Sequence, residues 1–147
     1  MGDNKPATLI QAATAVGTGI TTHVGAVPAL HHFTCSHFVI PITATGAVVP
    51  HRHPAFPSLG RVAWFTTDVW ADPDRTGLTS RTLACDRTKH RFRVTEAAMC
   101  LPWIEVRNLM VSLGQPGFER ETIHDFEYYA APETWWISAV PVPVVRA

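Results

Sequence analysis

Apolar residues in this chain recur in short runs, and these runs predict several β-strands and few helices. Residues 61–67 are β-branched and aromatic almost throughout, so they form the clearest predicted strand. Residues 91–95 alternate charged with apolar side chains, as a half-exposed strand does. Further strands are expected at 30–34, 47–50 and 81–86, and a final one within 133–145.

Helical signals occur in two places, and residues 118–126 are either a loop or a further short helix. The segment 36–44 begins with Ser36 as a candidate N-cap and ends before Gly46. The segment 103–113 follows Pro102 and carries periodic apolar residues. Because strands outnumber helices and the links are short and irregular, the pattern predicts an α+β fold with antiparallel pairing rather than a doubly wound parallel sheet.

The length and composition favour one domain with a thinly charged surface. A chain of 147 residues fits a single core, and we assign residues 30–147 to it. Residues 1–29 are rich in Ala, Thr and Gly and are expected to form a flexible N-terminal arm. Only 16% of the residues are charged, against ~25% in an average globular protein, which indicates a possible homo-oligomer.

Charge and cysteine usage restrict the partners and the compartment. Twelve basic and twelve acidic residues cancel, which argues against nucleic-acid binding by bulk charge. Basic side chains within 81–93 form either a local binding patch or the solvated positions of an exposed strand. The odd count of three cysteines predicts a reducing, cytoplasmic location, and no apolar run reaches the ~20 residues that span a bilayer.

Two segments carry candidate chemistry. In 30–34, Leu-His-His-Phe-Thr, a strand places His32 and Thr34 on one face, where an imidazole and a hydroxyl can bind a sugar diol or a carboxamide. The alternative is a buried histidine satisfied by a backbone carbonyl. In 62–68, Trp64 and Phe65 either stack on a planar ring or belong to the core.

Together these segments resemble the ADP-ribosyltransferase superfamily. Its members begin the catalytic core with a strand of the type Leu-Tyr-His-x-Thr, followed by a helix, a glycine and an aromatic strand that ends in Thr or Ser. The same frame occurs in RNA 2′-phosphotransferases and in toxins that ADP-ribosylate DNA bases. The chain is also similar to small uncharacterised actinobacterial and actinophage proteins, in blocks at 32–35, 78–80, 85–88 and 135–138.

The resemblance implies two small antiparallel sheets, split apart, with NAD in the cleft between them. It implies an NAD-dependent ADP-ribosyltransferase with a macromolecular acceptor, for which a nucleic-acid base and a protein are both candidates. The imidazole of His32 and the indole of Trp64 would line opposite walls of one groove. The residues assigned to NAD binding are His32, Thr34, Trp64, Phe65, Thr66 and Arg81.

The catalytic glutamate of the superfamily has no clear counterpart. It usually comes from a late strand, and the expected strand 135–140 holds Ser138 and Ala139 instead. Glu133 precedes that strand and is assigned as the catalytic acid beside His32 and Thr34. The residues Glu119, Glu121 and Glu127 are alternatives. Loss of the acid would fit phosphotransferase chemistry or a non-catalytic nucleotide-binding or protein-interaction module of phage origin.

A zinc-stabilised domain is a further hypothesis. The ligand types suit zinc. The candidate ligands are His31, His32, Cys35, His37, His51, His53, Cys85 and Cys100. Their spacing is poor, because Cys35 and His37, like His51 and His53, are separated by one residue only. The turn at 51–54 is more simply a polar surface turn, so no metal ligand is assigned.

Overall fold

The computed structural model of the chain describes residues 28–70, 72, 75, 87–128 and 130–147. The proposed arm at 1–29 therefore lies almost wholly outside the described residues. The strand expected at 81–86 and the candidate ligand Arg81 lie outside them as well.

Antiparallel strands dominate the described part of the chain. Their bounds are β1 His31–Thr34, β2 Ala47–Val48, β3 His51–Arg52, β4 Arg61–Thr66, β5 His90–Val94, β6 Leu101–Pro102, β7 Trp135–Ser138 and β8 Val142–Arg146. They follow the order β2-β8-β5-β1-β4-β7-β6, and β3 pairs with β4. The α+β class with antiparallel pairing is thus confirmed. The split into two small sheets is not confirmed, because these strands form one connected path.

The described residues form three helices beside the strands, where one or two were expected. They are α1 Ser36–Thr45, α2 Trp103–Ser112 and α3 Arg120–Glu127. The N-cap position of α1 is Cys35, so Ser36 is the first helical residue and not the cap. Gly46 ends α1 as predicted, since its backbone is left-handed at φ 68°.

The C-terminal segment forms two strands where the sequence predicted one. A short 3-10 turn, Pro132–Thr134, leads into β7, and the chain then reverses into β8 between β2 and β5. Pro143 pairs with Ala47 inside the sheet. A proline cannot donate to the ladder, but the carbonyl of Pro143 accepts the Thr95 N–H at 3.0 Å. The carbonyl of Pro143 is therefore hydrogen-bonded although the residue has no N–H to donate.

The sheet separates two hydrophobic cores. Alternation along β4 sends Val62 and Trp64 to one side and Ala63 and Phe65 to the other. The first core, on the Phe65 side, contains Leu30, Ile42, Val48, Ala63, Phe65, Phe92, Val94, Cys100, Trp136, Val142 and Val144. The second core, on the Trp64 side, contains Phe56, Leu59, Val62, Trp103, Val106, Met110, Phe118, Trp135 and Ile137.

Each core is closed by a different helical element. Helix α1 contributes Ile42 to the first core, whereas α2 contributes Trp103, Val106 and Met110 to the second. In the ranges that the structure describes, none of the helices has the length and apolarity needed to cross a membrane.

Candidate functional site

The imidazole of His32 is fixed by the neighbouring strand. Its Nδ1 lies 2.8 Å from the carbonyl oxygen of Trp64 on β4. A carbonyl only accepts hydrogen bonds, so Nδ1 carries the proton and donates it. In the neutral ring Nε2 then keeps a lone pair and can accept a hydrogen bond from a ligand hydroxyl. The alternative stated above was a histidine that is hydrogen-bonded to a backbone carbonyl. The structure shows this hydrogen bond at Nδ1.

The surroundings of His32 favour the neutral ring. Burial lowers its pKa below the usual 6.5, and the charges of Arg87 and His51 lower it further. The hydrogen bond to the Trp64 carbonyl works in the opposite direction but is the smaller influence. His32 is therefore uncharged at neutral pH, which preserves the acceptor on Nε2.

Thr34 and Phe65 lie on the same side of the strands as His32. Alternation along β1 places Thr34 two residues beyond His32, and its side chain is buried. The ring of Phe65 lies 5.7 Å from the imidazole, centroid to centroid. Phe65 is only 3% exposed and belongs to the first core. In this structure Phe65 packs against the imidazole, with little surface of its own left for a ligand.

Trp64 projects to the other side of the sheet. Its indole lies 4.9 Å from that of Trp103 and 5.5 Å from the imidazole of His53, within the packing of the second core. This arrangement corrects the expectation that the His32 and Trp64 rings line one groove. Adjacent residues of a strand face opposite sides, and Phe65 already occupies the side of His32.

The end of β4 connects to the turn before β7. The Thr66 hydroxyl donates to Thr134 Oγ1 at 3.3 Å and accepts the backbone N–H of Asp68 at 3.0 Å. Thr66 is thus buried in a local hydrogen-bond network. Its hydroxyl fixes the chain where β4 ends, beside the turn that carries Glu133.

Glu133 is exposed on the turn Pro132–Thr134. The carboxylate of Asp68 raises the pKa of Arg75 through a hydrogen bond and its charge, and the charge of Glu133 adds to this effect. Within the described residues no hydrogen bond or ion pair joins Glu133 to His32 or Thr34. The structure therefore brings Glu133 near the Asp68–Arg75 pair rather than to the histidine.

Two further positions considered for the acid, Ser138 and Glu127, make structural contacts. Ser138 is buried at the end of β7, and its hydroxyl donates to the Val140 carbonyl at 2.8 Å. Glu127 accepts the Trp103 indole N–H at 2.9 Å and forms an ion pair with Arg107. This contact ties α3 to α2, so Glu127 holds the second core together.

Sequence reasoning missed the position of His53, which it placed in a polar surface turn. His53 is partly buried, and its ring contacts those of Phe56 and Phe126 at 5.7 and 5.0 Å. Its Nδ1 accepts the Ala55 N–H at 3.1 Å. Burial lowers the pKa of His53, with a smaller contribution from Arg87. Arg87 thus acts on both His32 and His53, a coupling that no spacing in the sequence indicates.

The histidines and cysteines of the described segments do not assemble a metal site, since no group of three potential ligands occurs there. The closest approach is Cys35 Sγ to His37 Nδ1, at 3.9 Å. Cys100 is buried, and burial raises the pKa of its thiol to about 12. Cys85 lies outside the described residues.

Comparison of the chain with protein-family models, curated proteins and solved structures yields no match. What the chain can do must therefore follow from its own side-chain geometry.

Proposed function

We propose that this chain is an NAD-dependent ADP-ribosyltransferase that transfers ADP-ribose to a macromolecular acceptor, with a nucleic-acid base as one candidate. The observation that carries the proposal is the state of His32. Its Nδ1–H is held by the Trp64 carbonyl at 2.8 Å, and burial keeps the ring neutral. The lone pair on Nε2 suits a ribose hydroxyl, which donates a hydrogen bond to it.

The pairing of the two central strands supports a ligand cleft beside His32. Strands β1 and β5 pair through all four residues of β1, whereas β1 and β4 share the single register pair His31 and Thr66. Beyond that pair the His32 side chain bridges the two strands through its hydrogen bond to the Trp64 carbonyl. The hypothesis of a split sheet requires that β1 and β4 separate at this point.

In the proposed reaction the bond between nicotinamide nitrogen and ribose C1′ breaks, and its electron pair leaves with nicotinamide. The resulting oxocarbenium-like ribose is attacked by a nucleophile of the acceptor, which then loses a proton to water. His32 and Thr34 orient the ribose, so catalysis depends mainly on positioning and electrostatics. In this proposal Phe65 holds the His32 ring, and Trp64 contributes its carbonyl.

The decisive experiment is incubation of the purified chain with NAD and chromatographic measurement of free nicotinamide. We expect His32→Ala to reduce nicotinamide release about 100-fold or more, because the ribose loses its positioning contact. The matched control is His124→Ala, which removes an exposed imidazole on α3 and should leave the rate unchanged. The proposal would be contradicted if no nicotinamide were released in the presence of nucleic-acid or protein acceptors. It would also be contradicted if His32→Ala and His124→Ala lowered the rate of release equally.

The catalytic role of Glu133 is a separate part of the proposal. If its carboxylate stabilises the oxocarbenium-like transition state, Glu133→Gln lowers the rate of release roughly 100- to 1,000-fold while NAD binding is retained. Glu96→Gln, an exposed acid shortly after β5 that was not a candidate for the catalytic acid, is the control. An unchanged rate in Glu133→Gln removes this residue from the mechanism.

A second candidate function is a non-catalytic nucleotide-binding module. The specific observation that favours it is the absence of an acid beside His32 in the described residues, since Glu133 lies near Arg75 and Glu127 is paired with Arg107. Calorimetry distinguishes the two functions. Binding of NAD that depends on His32, without release of nicotinamide, would select the module.

A further inference from the structure

A cation-lined cavity lies where β5 begins and β8 ends, apart from the His32 side chain. Its volume is about 290 Å³. Its walls include Phe33, Trp70, Lys89, His90, Arg91 and Arg146. Among the described residues no acidic side chain contributes to these walls. The charged side chains that the described residues place in these walls are therefore all cationic, on a chain whose net charge is zero.

The positive charge of the cavity comes from Lys89, Arg91 and Arg146. His90 adds no charge there, because its Nδ1 accepts a hydrogen bond from Arg146 Nη2 at 2.6 Å and must be unprotonated. Its Nε2 then carries the proton and faces Ser36 Oγ at 2.9 Å. The nearby carboxylate of Asp68 is neutralised by a bidentate contact with Arg75. The cations of the cavity are thus available to an anionic ligand.

An aromatic side chain stands at the edge of the same cavity. Trp70 is 80% exposed, although tryptophan is usually well buried. The guanidinium of Arg91 lies 5.4 Å from the centre of the indole ring and donates to the Val69 carbonyl. These contacts hold the ring at the cavity while most of its surface remains in solvent. The cavity therefore offers a planar apolar surface beside three cations.

We propose that this cavity binds one nucleotide unit of a single-stranded nucleic acid. A base stacks on Trp70, and its phosphate contacts Lys89 and Arg146, which is the combination that single-strand binding proteins use. A base within a duplex is already paired and stacked, so it cannot use the indole in this way.

Binding at this cavity does not depend on the transferase activity, but its use as an acceptor site rests on the proposed function. The positive surface continues along the strand, since Arg93 is exposed two residues beyond Arg91 on the same side of β5. A strand longer than one nucleotide therefore meets further cations outside the cavity. For this reason we expect an oligonucleotide to bind more tightly than the corresponding mononucleotide.

The test is fluorescence anisotropy of the full chain, without NAD, with a labelled twelve-residue oligothymidylate. Parallel titrations use oligouridylate, a duplex of equal length, thymidine monophosphate and polyglutamate. We expect both single strands to bind more tightly than the other three ligands. Affinity should fall with salt with a logarithmic slope of about −0.7 for each phosphate contacted.

Two variants with matched controls assign the binding to the cavity. Trp70→Ala should weaken single-strand binding at least about fivefold, the lower limit for loss of one stacked base. Lys89→Glu should weaken it as well and reduce the salt slope. The controls are Tyr128→Ala and Arg120→Glu, an aromatic and a cation exposed on or next to α3 and outside the cavity walls.

The proposal would be overturned if duplex and single strand bound equally well, or if polyglutamate bound as tightly as oligothymidylate. It would also be overturned if Trp70→Ala lost no affinity for the single strands. Because NAD is absent from these titrations, their failure is distinct from failure of the transferase assay. If single strands bind and Trp70→Ala weakens that binding, but no nicotinamide is released in the separate assay with NAD, this site is retained and the transferase function is rejected.

Discussion

The two sides of β4 meet different surroundings. On one side Trp64 packs among Trp103, Trp135 and Phe126, with ring centroids 4.9 to 6.2 Å apart, and α2 and α3 cover this second core. On the other side Phe65 meets the imidazole of His32, whose Nε2 can accept a hydrogen bond at neutral pH. Neighbouring residues of one strand therefore belong to two different cores, and the core of Phe65 borders the imidazole of His32.

This contrast shows which parts of the molecule can bear chemistry. The second core contains aromatic pairs that contribute beyond their buried area, and it also holds the Glu127 ion pair that joins its helices. A rigid core of this kind can hold β4 in place while β1 presents His32. The following substitutions test whether the division between scaffold and site is real.

The largest effect is expected in the second core. Trp103 is completely buried, so Trp103→Ala leaves a large cavity and should lower the free energy of unfolding by about 3–5 kcal/mol. Urea denaturation followed by circular dichroism measures this. The matched change Trp70→Ala, at an indole that is 80% exposed, should stay within about 0.5 kcal/mol. Similar losses in both variants would erase the distinction between core and site.

The next effect concerns the contact between α2 and α3. Glu127→Gln removes the charge that pairs with Arg107 while keeping the shape of the side chain, and we expect a loss of about 1.5–3 kcal/mol. A double-mutant cycle with Arg107→Gln should show that most of this loss is shared by the pair. If the two losses simply add, the ion pair does not hold the helices together.

Acid should destabilise the fold through its partly buried histidines. Burial lowers the pKa of His53 in the folded chain below the unfolded value of about 6.5, so the unfolded state takes up protons first as pH falls. The stability is complete above that pH and declines as pH falls towards the folded pKa. Thermal unfolding at pH 7.5 and 5.5 should show a smaller decrease for His53→Phe than for the unmodified chain. His124→Phe, at an exposed position, should leave the decrease unchanged.

The smallest effect separates structure from function at Trp64. Its indole N–H is buried without a partner among the described residues, so Trp64→Phe removes an unsatisfied donor but also some packing volume. These opposing contributions should leave the unfolding free energy within about 1 kcal/mol. An unchanged affinity for NAD in this variant would agree with a core role, whereas a marked loss would restore the predicted stacking role.

Several elements could be predicted because their signals are local. The apolar period and Pro102 indicate α2, and Gly46 ends α1 because glycine readily adopts the left-handed backbone there. The aromatic run at 61–67 indicates β4. The placement of β8 could not be predicted, since Pro143 normally marks an edge. Its carbonyl is satisfied by Thr95, which lies far away in sequence.

The candidate site shows the same division between local features, which the sequence predicts, and long-range contacts, which it does not. The sequence singled out His32 and Thr34 as a pair on one face of a strand, because alternation is a property of the strand itself. It could not decide which side of the sheet would be the closed aromatic core. It also could not place Arg87 beside both His32 and His53.

The sequence by itself therefore determined the α+β class, the main elements and the residues able to carry chemistry. Only the tertiary structure decided that Trp64 and Phe65 face different cores, that Glu133 lies near Arg75, and that Trp70 stands beside a cluster of cations. The physical reason is that hydrogen-bond registers and helix packing join segments far apart in the chain. Local patterns fix what each segment is, and long-range pairing fixes what each side chain meets.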